Sequence, residues 1–319
     1  MNSILKKARR DYSLTGLTLA GVFLLTQGSI YLLYFLFDGS FSSIFGGLLS
    51  ESEASILLSS LIMYLIFTPL ALLLFRIAPS SQLQQQSMGK DFLPWLLICF
   101  PVMNAGALIG NILSSLLSFG GAKNPVEAVG SMHLWLEILC TVILAPIFEE
   151  LLFRRAIIKR CVKYGEIPAI IFSAVAFGLF HGNLYQFFYA FGIGLVFGYV
   201  YARTGKIRYT ILMHAIINFW GSIAAKYVID YQSIIIAFES GSYLYGSFRV
   251  FLTLNYMMIQ VTAIVFGIIF LVRRIRKLYF QPVPSIVPTG SVLRNSFINV
   301  GVIIFSVLFT AEIVLHLVP

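Results

Sequence analysis

Apolar stretches long enough to cross a bilayer recur from one end of this chain to the other. A spanning helix takes about 20 mainly apolar residues, because the hydrocarbon core is about 30 Å thick and a helix rises about 1.5 Å per residue. Such stretches fall at about residues 14–37, 55–78, 92–118, 134–158, 168–183, 185–202, 209–229, 250–272 and 297–317. They predict an all-α, polytopic membrane protein of nine helices, with eight as the alternative, forming one membrane domain. The 319 residues are 59% hydrophobic and 11% charged, with a mean hydropathy of +0.90, which leaves no room for a soluble domain. The first apolar run is followed by further spans and shows no small-residue cleavage site, so it reads as a retained helix. Cys99, Cys140 and Cys161 are too scattered to suggest a disulfide framework or a metal knuckle.

The net charge of +9 raises the question of nucleic acid, but the cations are short clusters flanking apolar runs, with no interleaved aromatics. Lys6, Lys7, Arg9 and Arg10 precede the first span, and Arg154, Arg155, Lys159, Arg160 and Lys163 follow the fourth. Arg203, Lys206 and Arg208 separate the sixth from the seventh, and Arg273, Arg274, Arg276 and Lys277 follow the eighth. All four clusters fall on one side. The opposite loops carry Asp38, Glu51, Glu53, Lys123, Glu127, Asp230 and Glu239, so the positive-inside rule puts the N-terminus in the cytoplasm and the C-terminus outside. Residues 230–249 read as an outer loop or a short interfacial helix. Gly106 with Gly110, and Gly194 with Gly198, are small residues four apart that permit close helix packing.

Ionisable side chains inside apolar runs cost several kcal/mol and are therefore candidates for function. They concentrate in three pieces: Glu149-Glu150-Leu151-Leu152-Phe153-Arg154, Phe177 to His181, and His214 to Asn218. Residues four apart share a helix face, so Glu150 reaches Arg154, Phe177 stacks under His181, and His214 projects with Asn218. Glu149 points about 100° away from Glu150 and is free for chemistry, while Glu150 is structural. Pro146 removes the hydrogen bond to the Val142 carbonyl and bends the helix beside the acidic pair. Peptide hydrolysis needs a base for water and donors for the oxyanion. Glu149 and His181 are assigned to the water, His214 and Asn218 to the oxyanion. Taken singly, the Glu-Arg pair reads as a salt bridge, a histidine as an interhelical hydrogen bond and Asn218 as helix glue. The functional reading rests on three such pairs lying within about 70 residues. Glu312 with His316, at the outer end of the last span, reads as capping or surface exposure; His133 and Glu137 face the outer interface; Asn104 and Asn111 share a face that lines the interior.

These pieces spell EExxxR, FxxxH and HxxxN, in order, and resemble the signature of the CAAX protease and bacteriocin-processing enzymes, also called the Abi family, which include the Ras-converting CAAX endopeptidase. The similarity divides the chain into N-terminal transmembrane helices (1–130), a core with the motifs (131–222) and C-terminal transmembrane helices (223–319). The resemblance implies a conical helix bundle and an intramembrane endopeptidase whose essential residues are Glu149, Glu150, His181 and His214. Asn218 assists, and Arg154 and Phe177 support. It implies a peptide or membrane-protein substrate, classically lipidated at its C-terminus; bacterial relatives, in cells that generally lack prenylation, would cut a peptide pheromone, a bacteriocin leader or a membrane protein at the plasma membrane. HExxH, a pair of intramembrane Asp and GxSG are absent, which excludes the zinc site-2, aspartyl and rhomboid-like types.

The family is often classed as metalloprotease, and Glu149, His181 and His214 are a set that could hold Zn2+ with a position left for water. The two histidines lie on different helices with no ligand pair at one spacing, so a metal-free site is slightly favoured. Upright helices would put His181 about 20 Å and His214 about 9 Å below the cytoplasmic edge, so the bundle must be tilted and open there. The rival functions are a catalytically silent scaffold or bacteriocin-immunity protein of the same fold, and a proton-coupled transporter.

Overall fold

The computed structural model describes residues 3–77, 79–125, 132–229, 247–281 and 288–318, with 232, 235, 236 and 239, and contains no strand among them. Its helices are α1 (Ser3–Leu36), α2 (Glu51–Ile77), α3 (Gly89–Leu117), α4 (134–161), α5 (Glu166–Phe180), α6 (Leu184–Thr204), α7 (Ile207–Val228), α8 (Ser247–Ile275), α9 (Thr289–Phe297) and α10 (Val300–Leu317). Seven of these are long and apolar enough to cross a bilayer; α5 is a shorter apolar helix, and α4 is broken by π-type turns. The predicted stretches all appear as helices. The addition is α9, whose Val292 and Ser296 are buried and which packs on α1 and α5. Glu127, Asp230 and most of 230–249 lie outside the described residues.

Local sequence explains where the helices begin. Ser50 and Glu53 form a capping box at α2: the Ser50 hydroxyl accepts from the Glu53 N–H, and the Glu53 carboxylate accepts from the Ser50 N–H at 3.0 Å. Asn183 caps α6 by accepting from the Gln186 N–H at 2.9 Å, and Asn299 caps α10 by accepting from Val302 at 3.0 Å. Gly205 ends α6 in the left-handed conformation at φ 61°, which allows the immediate turn into α7.

Close helix crossings use small residues, because packing rather than hydrophobicity drives association in lipid. Gly106 and Gly110 lie directly on the α6 backbone, where a methyl on Gly110 would come within 2.5 Å of the Leu184 carbonyl oxygen. Gly194 meets Ala174 of α5, and Gly198 meets Ile170. A crossing absent from the sequence reading joins the chain ends: Gly16 of α1 faces Gly301 of α10, whose N–H donates to the Ser13 hydroxyl at 3.0 Å. A methyl at Gly301 would collide with the Ser13 carbonyl. Gly301→Ala is therefore expected to cost about 1–3 kcal/mol, read as a lower unfolding midpoint in detergent. Gly21→Ala, with nothing within 4 Å of the added methyl, is the control that stays within error of the parent.

The four basic clusters gather at one end of the bundle. There Lys163 pairs with Asp11 at 2.9 Å, Arg274 with Asp91 at 2.7 Å and Arg203 with Glu166, while Arg160 donates to the Phe75 carbonyl. At the other end the structure corrects one expectation. Glu137 is fully buried and paired with Lys226 at 3.0 Å instead of facing the interface, since its helix begins against α7. His133 is largely exposed, as expected, and pairs with Glu53. Asn104 accepts from Gln260 of α8 at 3.3 Å, whereas Asn111 is exposed and donates to the Ala107 carbonyl of its own helix; the shared interior face does not extend that far.

Candidate active site

The central irregularity is α4, where π-type turns at Ile138–Leu144 and Glu150–Ile158 flank the α-helical turn Ala145–Glu149. π-turns of this kind concentrate at functional sites. Pro146 accounts for the first. Ala145 donates to Cys140, five residues back, so in that register the partner missing from Pro146 belongs to the Thr141 carbonyl and not to Val142 as α-helical spacing suggests. The carboxamide of Asn218 supplies the absent donor, at 2.8 Å from the Thr141 oxygen, and pins α7 to α4 one helical layer from the acidic pair.

Glu150 and Arg154 are wholly buried, with Nη1 and Oε1 3.3 Å apart. The guanidinium lies over the Phe177 ring at 4.3 Å and near that of Phe197 at 5.4 Å, so π faces cover the charge where the carboxylate does not. The same Glu150 oxygen meets Nδ1 of His214 at 3.1 Å. Glu149 is turned away from this pair, as the 100° step requires. Its Oε1 accepts from the Tyr64 hydroxyl at 2.7 Å, and its Oε2 lies 3.8 Å from Nε2 of His214. His214 thus has a carboxylate at each ring nitrogen. His181 caps the end of α5 with Nδ1 2.8 Å from the Phe177 carbonyl; because a carbonyl only accepts, Nδ1 carries the hydrogen and Nε2 presents a lone pair. Both histidines stand edge-on to Phe177, with ring centroids 5.0 Å (His181) and 5.8 Å (His214) away.

The sequence-selected residues Glu149, Glu150, Arg154, Phe177, His181 and His214 therefore form one cluster, with Asn218 at its edge through the Thr141 carbonyl. The two histidines meet the same Phe177 ring, so the depth conflict expected of upright helices is absent from the folded chain. Glu312 packs against Gly182, beside His181, and accepts from Gln27 at 3.4 Å, so it is more inward than a surface residue. Tyr64, Phe197 and the Thr141 carbonyl were missed. Tyr64 alone had a sequence signal, a hydroxyl in the middle of an otherwise aliphatic and aromatic run, Ile62 to Phe67.

Nδ1 of each histidine is held, by the Phe177 carbonyl and by Glu150, which leaves Nε2 of each ring for other partners, while Glu149 Oε1 accepts from Tyr64. Among the described residues no three His, Cys, Asp or Glu side chains group as a metal site. Oε2 of Glu149 and Nε2 of His214 face one another at 3.8 Å, and Nε2 of His181 makes no hydrogen bond among the described residues.

A family match falls on the segment that carries the site. Residues 131–220 match the family described as type II CAAX prenyl endopeptidase, Rce1-like. YdiL of Bacillus subtilis (strain 168), which carries the name of a membrane peptidase, is 27% identical over 165 residues, covering 50% of this chain and 68% of its own. The membrane-embedded CAAX protease MroQ of Staphylococcus aureus (strain USA300) is 22% identical over 177 residues, covering 52% of this chain and 71% of its own. No solved structure matches the chain.

Proposed function

We propose, for a chain whose residues 131–220 belong to the type II CAAX prenyl endopeptidase (Rce1-like) family, that it is a membrane-embedded endopeptidase hydrolysing a peptide bond beside Glu149. The observation that carries this reading is the pair of independent settings on adjacent carboxylates: Glu150 is neutralised by Arg154 and holds His214, while Glu149 is left facing Nε2 of His214.

Water between Glu149 and His181 loses a proton to that pair, and the hydroxide adds to the carbonyl carbon. His181 suits this step because its Nε2 is the bare nitrogen. His214, flanked by a carboxylate at each ring nitrogen, donates through Nε2 to the developing oxyanion. The abstracted proton then passes to the leaving amine, which breaks the C–N bond. Asn218 acts mainly by fixing α7, with one amide hydrogen left for the oxyanion. In this reading Glu149 and His181 activate the water without a tightly bound metal. The substrate is a peptide or membrane protein, of which a lipidated chain is one class, and the basic end of the bundle faces the cytoplasm.

The test is cleavage of a library of apolar and lipidated peptides by the purified protein in nanodiscs, read by mass spectrometry. Cleavage within the library is the expected result; an inert wild type across it overturns the reading in favour of a silent scaffold. Strong chelators are expected to leave the rate within about twofold, because the first role of a catalytic metal, lowering the pKa of water, is assigned to Glu149 and His181. A loss restored by zinc would sink the metal-free step.

A further inference from the structure

A cavity of about 800 Å³ opens at the basic end among α4, α6, the start of α7 and the linker between α2 and α3. Arg155 and Lys159 of α4, and Lys206 and Arg208 at the α6–α7 turn, line it together with the amides of Gln82 and Gln85; its lining includes no acidic residue. No ion pair neutralises any of these four cations among the described residues: Lys163, Arg203 and Arg274, at the same end, each have a carboxylate, but these do not. The linker crosses the cavity as a strap tied at both ends, with the Ser81 N–H donating to the Lys159 carbonyl at 2.8 Å and the Gln86 N–H to the Thr204 carbonyl at 2.9 Å.

Like charges held together in a cleft cost self-repulsion, and they focus a field that draws an anionic ligand. We propose that this cavity is a subsite for an acidic stretch of the polypeptide substrate, an inference that rests on the peptidase reading. The site's own helices favour a peptide over a lipid. Arg155 and Lys159 stand six and ten residues past Glu149 on α4, and Lys206 and Arg208 open the helix that carries His214. At about 1.5 Å per residue of helix, the α4 cations lie about 9–15 Å from Glu149. An extended chain advances about 3.3 Å per residue, which puts the recognised carboxylates about three to five residues from the scissile bond. The strap beside them forms neither helix nor strand over 79–88 and offers backbone groups to such a chain.

The experiment uses the full chain in nanodiscs of phosphatidylcholine alone, titrated with two labelled peptides of one apolar sequence that carry either three Glu or three Gln at that spacing. The Glu peptide is expected to bind about tenfold more tightly at low salt, with the preference shrinking as salt screens it. Arg155→Gln/Lys159→Gln, and separately Lys206→Gln/Arg208→Gln, should each reduce the preference to about twofold or less while affinity for the Gln peptide, the control for folding, is unchanged. Equal affinities in the wild type, or a preference that survives both variants, overturn the proposal. So does equal affinity combined with phosphatidylglycerol retained by wild type and lost from both variants, which assigns the cavity to a lipid head group. Cleavage is read in parallel. Both peptides cut equally removes the subsite and leaves the peptidase; charge-dependent binding with neither peptide cut removes the peptidase and leaves an acidic-peptide site.

Discussion

Glu149→Gln is expected to lower the rate of peptide cleavage about 10²- to 10⁴-fold, the range of a lost general base, with the unfolding midpoint unchanged. The substitution is nearly isosteric, and the new amide oxygen still accepts the Tyr64 hydroxyl, which lies 2.7 Å from Oε1. What disappears is the ability to take a proton from water next to Nε2 of His214. Tyr64→Phe should be far milder, because it frees the carboxylate from one partner without removing it. The measurement is single-turnover cleavage by each purified variant, paired with a thermal melt. The same variant separates the rival functions. A scaffold or immunity protein would keep its partner in Glu149→Gln, and a proton-coupled transporter would lose flux in proteoliposomes while the wild type cut nothing. A Glu149→Gln protein that cleaves at the parent's rate would remove Glu149 from the chemistry.

How much of this was readable beforehand varied with the kind of interaction. Hydropathy fixes where helices lie because lipid leaves the backbone no other option, and every apolar stretch became one. Short-range geometry also carried through: the i, i+4 relation of Glu150 and Arg154 and the divergent direction of Glu149 need only a helix. Interactions between distant segments were not legible. Nothing in the sequence ties Tyr64 to a carboxylate 85 positions later, or Glu137 to Lys226, since both depend on which helices become neighbours. The consequence of Pro146 was half read. A proline must orphan a carbonyl, but which one depends on the helical register, and the π-turn moved it from Val142 to Thr141, where Asn218 answers it. The short helix α9 escaped because nine residues with one buried edge make no apolar run.

Arg154→Met is expected to destabilise the protein by about 3–5 kcal/mol, the cost of leaving one half of a buried ion pair without the other. Both side chains have zero exposure, so neither charge can turn to water. The guanidinium also rests on Phe177, and its loss loosens the ring against which His181 and His214 stand. Glu150→Gln/Arg154→Met should recover most of that stability, because a neutral pair of similar volume carries no desolvation cost. It should not recover activity. Glu150 holds Nδ1 of His214 at 3.1 Å, and a carboxamide there neither balances a proton on the ring nor fixes which nitrogen carries it. The double variant is therefore expected to melt close to the parent and to cleave about 10–100-fold more slowly. This split between melting and turnover distinguishes a positioning role from a purely structural one. If the double variant regained both, Glu150 and Arg154 would serve only to fill and neutralise the core of the bundle. If Arg154→Met alone melted with the parent, the ion pair would not be what holds α4 against α5 and α6.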